Sequence, residues 1–291
     1  MKRRAAIALG AAGLAAGVGV ALLGSDGTLS PDTVTAQPVA GPTAGGAGLA
    51  GAKAGGAVLA RAKRESPAAY RAARDAGARI ATTPDGRSFY VQWPGATRGG
   101  KTIVTFHGYL STAFDDFGHW RDEATRRGYR VVAIQWRLGK TKNDSYTPAQ
   151  MYSQARTLLR RAGVAPGAAL LHGYSSAASR TYGVAALDRR AGRVFSLEIA
   201  DAGGALPGYP AYREVFGAPP GRKTLAGTRW VLFCGGRDPD PNQTGCPVMR
   251  RTRNKIVARG GTIARFIVDP RASHGGFLQN VANTRAALDL F

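Results

Sequence analysis

A serine hydroxyl attacks a carbonyl carbon only when a base stands ready to take its proton, and the base works best when a carboxylate fixes its tautomer. The sequence offers these residue types at a few positions. Ser175 lies in His172-Gly173-Tyr174-Ser175-Ser176-Ala177. Gly173 and Ala177 supply the small residues that crowding demands two positions either side of a serine on a sharp strand-to-helix turn. Ser176 has Tyr174 at the corresponding position and fits less well. The same stretch also reads as an ordinary helix start, since Ser is a good N-cap. Of the four histidines, His274, in Ala272-Ser273-His274-Gly275-Gly276, sits on a Gly-flanked loop before the last helix and is the candidate base. His107 and His172 each precede a glycine at a strand end and read as loop-shaping residues. His119 falls inside a helix, where a solvated or satisfied histidine is expected. For the acid, Gly235-Gly236-Arg237-Asp238-Pro239-Asp240 presents Asp238 first, with Asp240 as the near alternative and Asp201 as a more distant one; an Asp before Pro also simply starts turns. Such a relay would carry out acyl transfer.

Those residues need a frame that brings distant segments to one edge. Short apolar runs alternate with helical patterns. Strands are expected at Ser88–Trp93, Thr102–Phe106, Arg130–Trp136, Ala168–Leu171, Val194–Ala200, Trp230–Cys234 and Thr262–Val268. Helices are expected at Ala113–Arg127, Pro148–Ala162, Ser176–Leu187, Pro247–Arg259 and Val281–Leu290, and an earlier one starts at Ser66-Pro67 and stops at Gly77. Several strands are continuously apolar, as strands of a parallel sheet covered on both faces are. The alternation predicts a three-layer α/β domain with a mostly parallel sheet, and in such folds ligand chemistry gathers at the carboxyl ends of the strands. Ser175, Asp238 and His274 all follow expected strands.

The chain has 291 residues, 44% of them hydrophobic, with 40 Lys+Arg against 18 Asp+Glu and a net charge of +22. A sizeable core is therefore available, and global disorder is excluded. Residues 1–76 hold 9 basic and 4 acidic residues and residues 77–291 hold 31 and 14, so the excess belongs to the folded part. No recognised nucleic-acid module accompanies it, so nucleic acid is not an expected partner. An Arg-studded exterior with weak, salt-sensitive attraction to anionic envelope surfaces is expected instead. Lys2, Arg3 and Arg4 followed by an uncharged stretch to Gly24 look like an export signal, with Val34 and Ala36 at the spacing of a small-residue cleavage site. Cleavage is favoured over retention as an anchor. The expected organisation is an export signal over 1–36, an Ala/Gly-rich flexible spacer over 37–65 and one catalytic domain over 66–291. Two cysteines exclude a four-cysteine zinc module, and no phosphate-binding G-x-x-x-x-G-K-[ST] loop occurs. No metal or other cofactor is expected.

The His107-Gly108 turn, the Gly173-Tyr174-Ser175-Ser176-Ala177 elbow, the Gly235-Gly236-Arg237-Asp238 turn and the Ser273-His274-Gly275 loop resemble, in order and spacing, the α/β-hydrolase superfamily. The resemblance covers about Ala78 to Phe291 and is strongest to secreted bacterial esterases and polyester-depolymerase-like members; Ala177 stands where a second glycine is usual. It implies a Ser175–His274–Asp238 triad acting on an ester, and an oxyanion hole built from the backbone N–H groups of Ser176 and Tyr109. It further implies a short cap insertion between Asp201 and Thr228, whose Tyr209, Tyr212 and Phe216, with Tyr174, would line the substrate pocket. A plain surface connection with the aromatics packed beneath it is the alternative for that insertion. Cys234 and Cys246 flank the acid turn, and in an exported protein they would pair; otherwise they are two thiols. A peptidase or amidase on the same fold, or a binding protein without catalysis, are the competing functions. The expected form is a monomer.

Overall fold

The computed structural model describes residues 47–95, 100–141 and 143–291; the expected export signal and the first part of the expected spacer lie outside them. In chain order the elements are α1 (Ala47–Glu65), α2 (Pro67–Asp75), β1 (Arg79–Thr82), β2 (Phe89–Trp93), β3 (Thr102–Phe106), α3 (Ala113–Arg127), β4 (Arg130–Ile134), α4 (Pro148–Arg161), β5 (Ala169–Tyr174), α5 (Ala178–Ala191), β6 (Phe195–Asp201), α6 (Tyr212–Val215), β7 (Arg229–Gly235), α7 (Cys246–Ala258), β8 (Thr262–Asp269), α8 (Gly276–Gln279) and α9 (Val281–Leu288). The eight strands form one sheet in the order β1-β2-β4-β3-β5-β6-β7-β8. β1–β2 and β2–β4 pair antiparallel; every pairing from β4 through β3, β5, β6 and β7 to β8 is parallel.

Side chains alternate across each strand, and each face of the sheet is covered by its own helices. Val104, Phe106, Val132, Ile134, Leu171 and Leu232 turn to the face covered by α4, α5 and α7, where Met151, Leu158, Tyr182, Val248 and Ile256 meet them. Ile103, Val131, Leu170, Ile199, Val231 and Phe233 turn to the opposite face, against Phe114, Phe117 and Trp120 of α3, Phe277 of α8 and Leu288 of α9. The middle strands are buried on both sides, so their sequences are mostly apolar, with Thr105, His172 and Glu198 as buried polar exceptions.

Four elements lie outside the sequence expectation: the single turns α6 and α8, the helix α1 and the short strand β1. The Ala/Gly-rich stretch read as a flexible spacer up to residue 65 is in fact helical from Ala47. Its face bearing Val58 and Ala62 is buried in the same core as Phe89 and Phe114. Small residues let the helix approach: a Cβ at Gly55 would lie 2.5 Å from the Gly86 carbonyl oxygen and 2.8 Å from that of Ser88. Arg61 then donates to the carbonyls of Arg137 and Leu138, and Glu65 pairs with Arg137. Tertiary docking, not an isolated apolar period, makes this helix. β1 is an edge strand too short and too polar to announce itself, and it exists through its pairing with β2.

Candidate active site

β5 delivers Ser175 to the carboxyl edge of the sheet. The residue sits at φ 57°, in the left-handed region that costs a non-glycine residue of order 1 kcal/mol or more. Its N–H donates to the Asp201 carbonyl across β6 at 2.8 Å, and α5 begins three residues later. The turn is tight enough that a Cβ on Gly173 would strike Thr181 and the backbone of Ala177 and Ala178, so no side chain is tolerated there.

His274 arrives on the loop between β8 and α8. Its Nε2 lies 2.8 Å from Ser175 Oγ and its Nδ1 2.8 Å from Asp238 Oδ2. With Asp238 accepting from Nδ1–H, Nε2 carries the free lone pair and faces the hydroxyl. Asp238 stands on the loop after β7, and its carboxylate is almost fully covered, at 1% exposure, against 28% for the His274 side chain. Its other oxygen accepts from Thr244 Oγ1 at 2.8 Å and from the Asp240 N–H at 2.9 Å. A disulfide joins Cys234, at the end of β7, to Cys246, the first residue of α7, and closes the loop that carries Asp238, Gln243 and Thr244.

The other candidate acids lie elsewhere. Asp240 caps its own turn by accepting from the N–H groups of Asn242 and Gln243. Asp201 is fully buried below the elbow, where its nearest cation candidate is His172 Nε2 at 3.5 Å. Burial raises the Asp201 carboxyl well above the ordinary range, raises Asp116 to about 7 and lowers His172 to about 3. Trp120 Nε1 donates to His172 Nδ1 at 3.3 Å, so the neutral ring keeps its proton on Nε2, toward Asp201. His172 is thus a core histidine rather than a loop residue. His107 is also buried, with Nδ1 2.6 Å from the Gly108 carbonyl oxygen, and burial lowers it to about 4.

A cavity of about 410 Å³ opens at Ser175. Tyr109 and Ser176, the expected oxyanion donors, border it, as do Tyr174 and Tyr209 of the four expected pocket residues. Tyr212 and Phe216 do not. Phe216 is buried against Tyr182, Tyr212 packs on Phe216, and Lys255 lies over the Tyr212 ring. One short helical turn, α6, directs both aromatics into the core, so this part of the insertion follows the packed-connection alternative. The sequence pattern did not single out Gln243 and Thr244, which line the same cavity; Gln243 accepts from Tyr209 Oη and, through its backbone carbonyl, from the Gly204 N–H. The only signal for them was their position between the two cysteines. Leu110 stands at the cavity mouth with 94% of its surface exposed. Among the described residues no cluster of His, Cys, Asp and Glu is arranged to hold a metal ion, and no helix is long and apolar enough to cross a membrane.

This sheet order, with Ser175 on a tight turn after β5 and Asp238 and His274 following in chain order, is that of an α/β-hydrolase fold. Solved structures agree on the fold. An esterase from Mycobacterium marinum superposes with a TM-score of 0.53 at 17% identity, over 79% of this chain and 87% of that one. An esterase from the hyperthermophilic archaeon Pyrobaculum calidifontis gives 0.54 at 12% identity, over 80% and 91%. A dienelactone hydrolase from Klebsiella pneumoniae gives 0.51 at 14%, over 73% and 95%. No family model and no curated protein matches the chain.

Proposed function

We propose that the chain is an exported serine hydrolase that cleaves carboxylic esters. The observation that carries this reading is the continuous Asp238–His274–Ser175 hydrogen-bond relay at the mouth of a cavity lined mostly by glycine, serine and tyrosine. Ser175 Oγ adds to the ester carbonyl carbon as His274 Nε2 takes its proton, and Asp238 stabilises the imidazolium through Nδ1–H. The carbonyl oxygen gains the negative charge and is received by the N–H groups of Ser176 and Tyr109; each such donor is worth about 10²–10³ in rate. Collapse breaks the ester C–O bond, His274 returns the proton to the leaving alcohol, and the acyl group stays on Ser175. Water, deprotonated by His274, then releases the acid and regenerates the serine.

The disulfide supports the export reading, because such bonds persist in oxidising compartments. The side of the cavity nearest the insertion is walled by Gly203, Gly204 and Tyr209 alone, which suits bulky or polymeric acyl groups. The excess of Lys+Arg, 40 against 18 acidic residues, supports weak association with anionic envelopes. Retention on phosphatidylglycerol vesicles should be strong at low salt and fall away as the Debye length shortens; retention that ignores salt overturns that part.

The decisive experiment is fluorophosphonate labelling combined with a panel of p-nitrophenyl esters and peptide anilides. Wild-type protein should label and turn over esters faster than anilides, and Ser175→Ala should do neither. Unchanged turnover in Ser175→Ala removes the reading, and faster anilide cleavage replaces it with an amidase.

A further inference from the structure

The side chain of Arg180, on α5 one turn past Ser176, is buried at 6% exposure. Among the described residues, none of the arginine–carboxylate pairs includes Arg180. A buried cation without a counter-charge is costly, and burial lowers its pKa to about 10. Such a group persists in a fold when something else depends on it.

Its contacts point to what depends on it. Nη1 donates to the Ser176 carbonyl at 2.9 Å, which also accepts from Ser179 Oγ at 2.7 Å. The guanidinium lies over the Trp136 ring, 4.3 Å from its centroid, and Nη2 donates to Ser145 Oγ at 3.3 Å. Trp136 Nε1 in turn donates to the His107 carbonyl at 2.6 Å, at the start of the His107-Gly108-Tyr109 turn. One side chain therefore touches the segment of the first oxyanion donor directly and the segment of the second through a single indole. A planar fork with a flat face is needed for both contacts at once, and lysine has neither.

We propose that Arg180 is a positioning residue for oxyanion stabilisation, fixing the Ser176 segment by hydrogen bond and the Tyr109 segment through Trp136. This rests on the esterase reading above. The transition state gains more from it than the ground state does, so its removal acts on kcat rather than on KM.

The test is a steady-state series on the full chain with Arg180→Met, Arg180→Lys, Trp136→Phe and the Arg180→Met/Trp136→Phe double variant. Alongside, affinity is measured for a trifluoromethyl ketone, which forms an oxyanion adduct with the serine, and for an unreactive thioether of the same shape. Expected for Arg180→Met is a fall in kcat of about 10- to 100-fold, less than loss of a whole donor, with KM within about 2-fold. Ketone affinity should fall in parallel, thioether affinity should hold, and Arg180→Lys should recover only part. Trp136→Phe, which keeps an aromatic face but loses the N–H, should also lower kcat, and the double variant should lose less than the product of the two. If Arg180→Met does not fold, Arg180→Lys and Trp136→Phe decide the question by the same readouts. Unchanged kcat and ketone affinity in the folded variants, or equal losses of ketone and thioether binding, overturn the inference. That failure is distinct from failure of the esterase reading, which shows as wild-type protein without ester turnover or as full activity in Ser175→Ala.

Discussion

Asp238 has both carboxylate oxygens engaged, one by His274 and the other by Thr244 and the Asp240 N–H, so its orientation is set before any substrate arrives. Replacing it by Asn keeps the shape but offers an N–H where Nδ1–H needs an acceptor, and the histidine is driven to the wrong tautomer. Asp238→Asn should lower kcat by about 10⁴-fold with the fold intact by circular dichroism; retention of more than a tenth of the activity would reassign the acid. The juxtaposition of Ser175, His274 and Asp238 was legible in the sequence because its signals are local: small neighbours around the serine, glycines around the histidine, strand-then-turn before the aspartate. Arg180 and Thr244 were not legible. Whether an arginine in a basic chain faces water or lies beneath an elbow is decided by residues such as Trp136, more than forty positions away in the sequence, and not by its neighbours.

At the level of elements, the parallel sheet was readable because strands buried on both faces are mostly apolar. What escaped was held by long-range contact. Tyr212 and Phe216 look alike as pocket residues and as core residues until Tyr182 supplies the surface they pack on. The N-terminal Ala/Gly stretch looks like a linker until α1 is docked, with Val58 and Ala62 inside the core and Arg61 capping the carbonyls of Arg137 and Leu138. Truncation before Ser66 removes that helix and uncovers Phe89 and Phe114. Its melting temperature should fall by roughly 4 °C or more, the shift of about 1–2 kcal/mol in a domain of this size; an unchanged melting temperature would restore the spacer description.

The molecule as a whole buries titratable groups of opposite sign dependence. Glu198, inside the sheet and accepting from the Arg229 N–H at 2.8 Å, is raised by burial to about 8, and Asp116 to about 7. The folded state holds these protons while the unfolded chain has released them, so stability from this source is present at acid pH and is lost as pH rises through those values. His107 and His172, lowered to about 4 and about 3, act the other way: their contribution grows as pH rises and is complete once the unfolded histidines titrate, near 6.5. From about pH 6.5 to 8 only the carboxyl loss remains, and the melting temperature should decline. Glu198→Gln keeps an acceptor for Arg229 and removes the ionisation, so its decline should be smaller across the same pH series; parallel curves would exclude Glu198 as a cause.

The segment between β6 and β7 meets the cavity at Ser175 only through Gly203, Gly204 and Tyr209, while its middle is fastened to α5 and α7 through Phe216 and Tyr212. For protein engineering this makes a modular join. The stretch from Pro207 to Pro210 can be lengthened into a lid, or exchanged, without touching the sheet edge that aligns Ser175, Asp238 and His274. Changes there redraw one wall of the cavity, at Tyr209, while the segments that bring Ser175, Asp238 and His274 into hydrogen-bond contact are left alone.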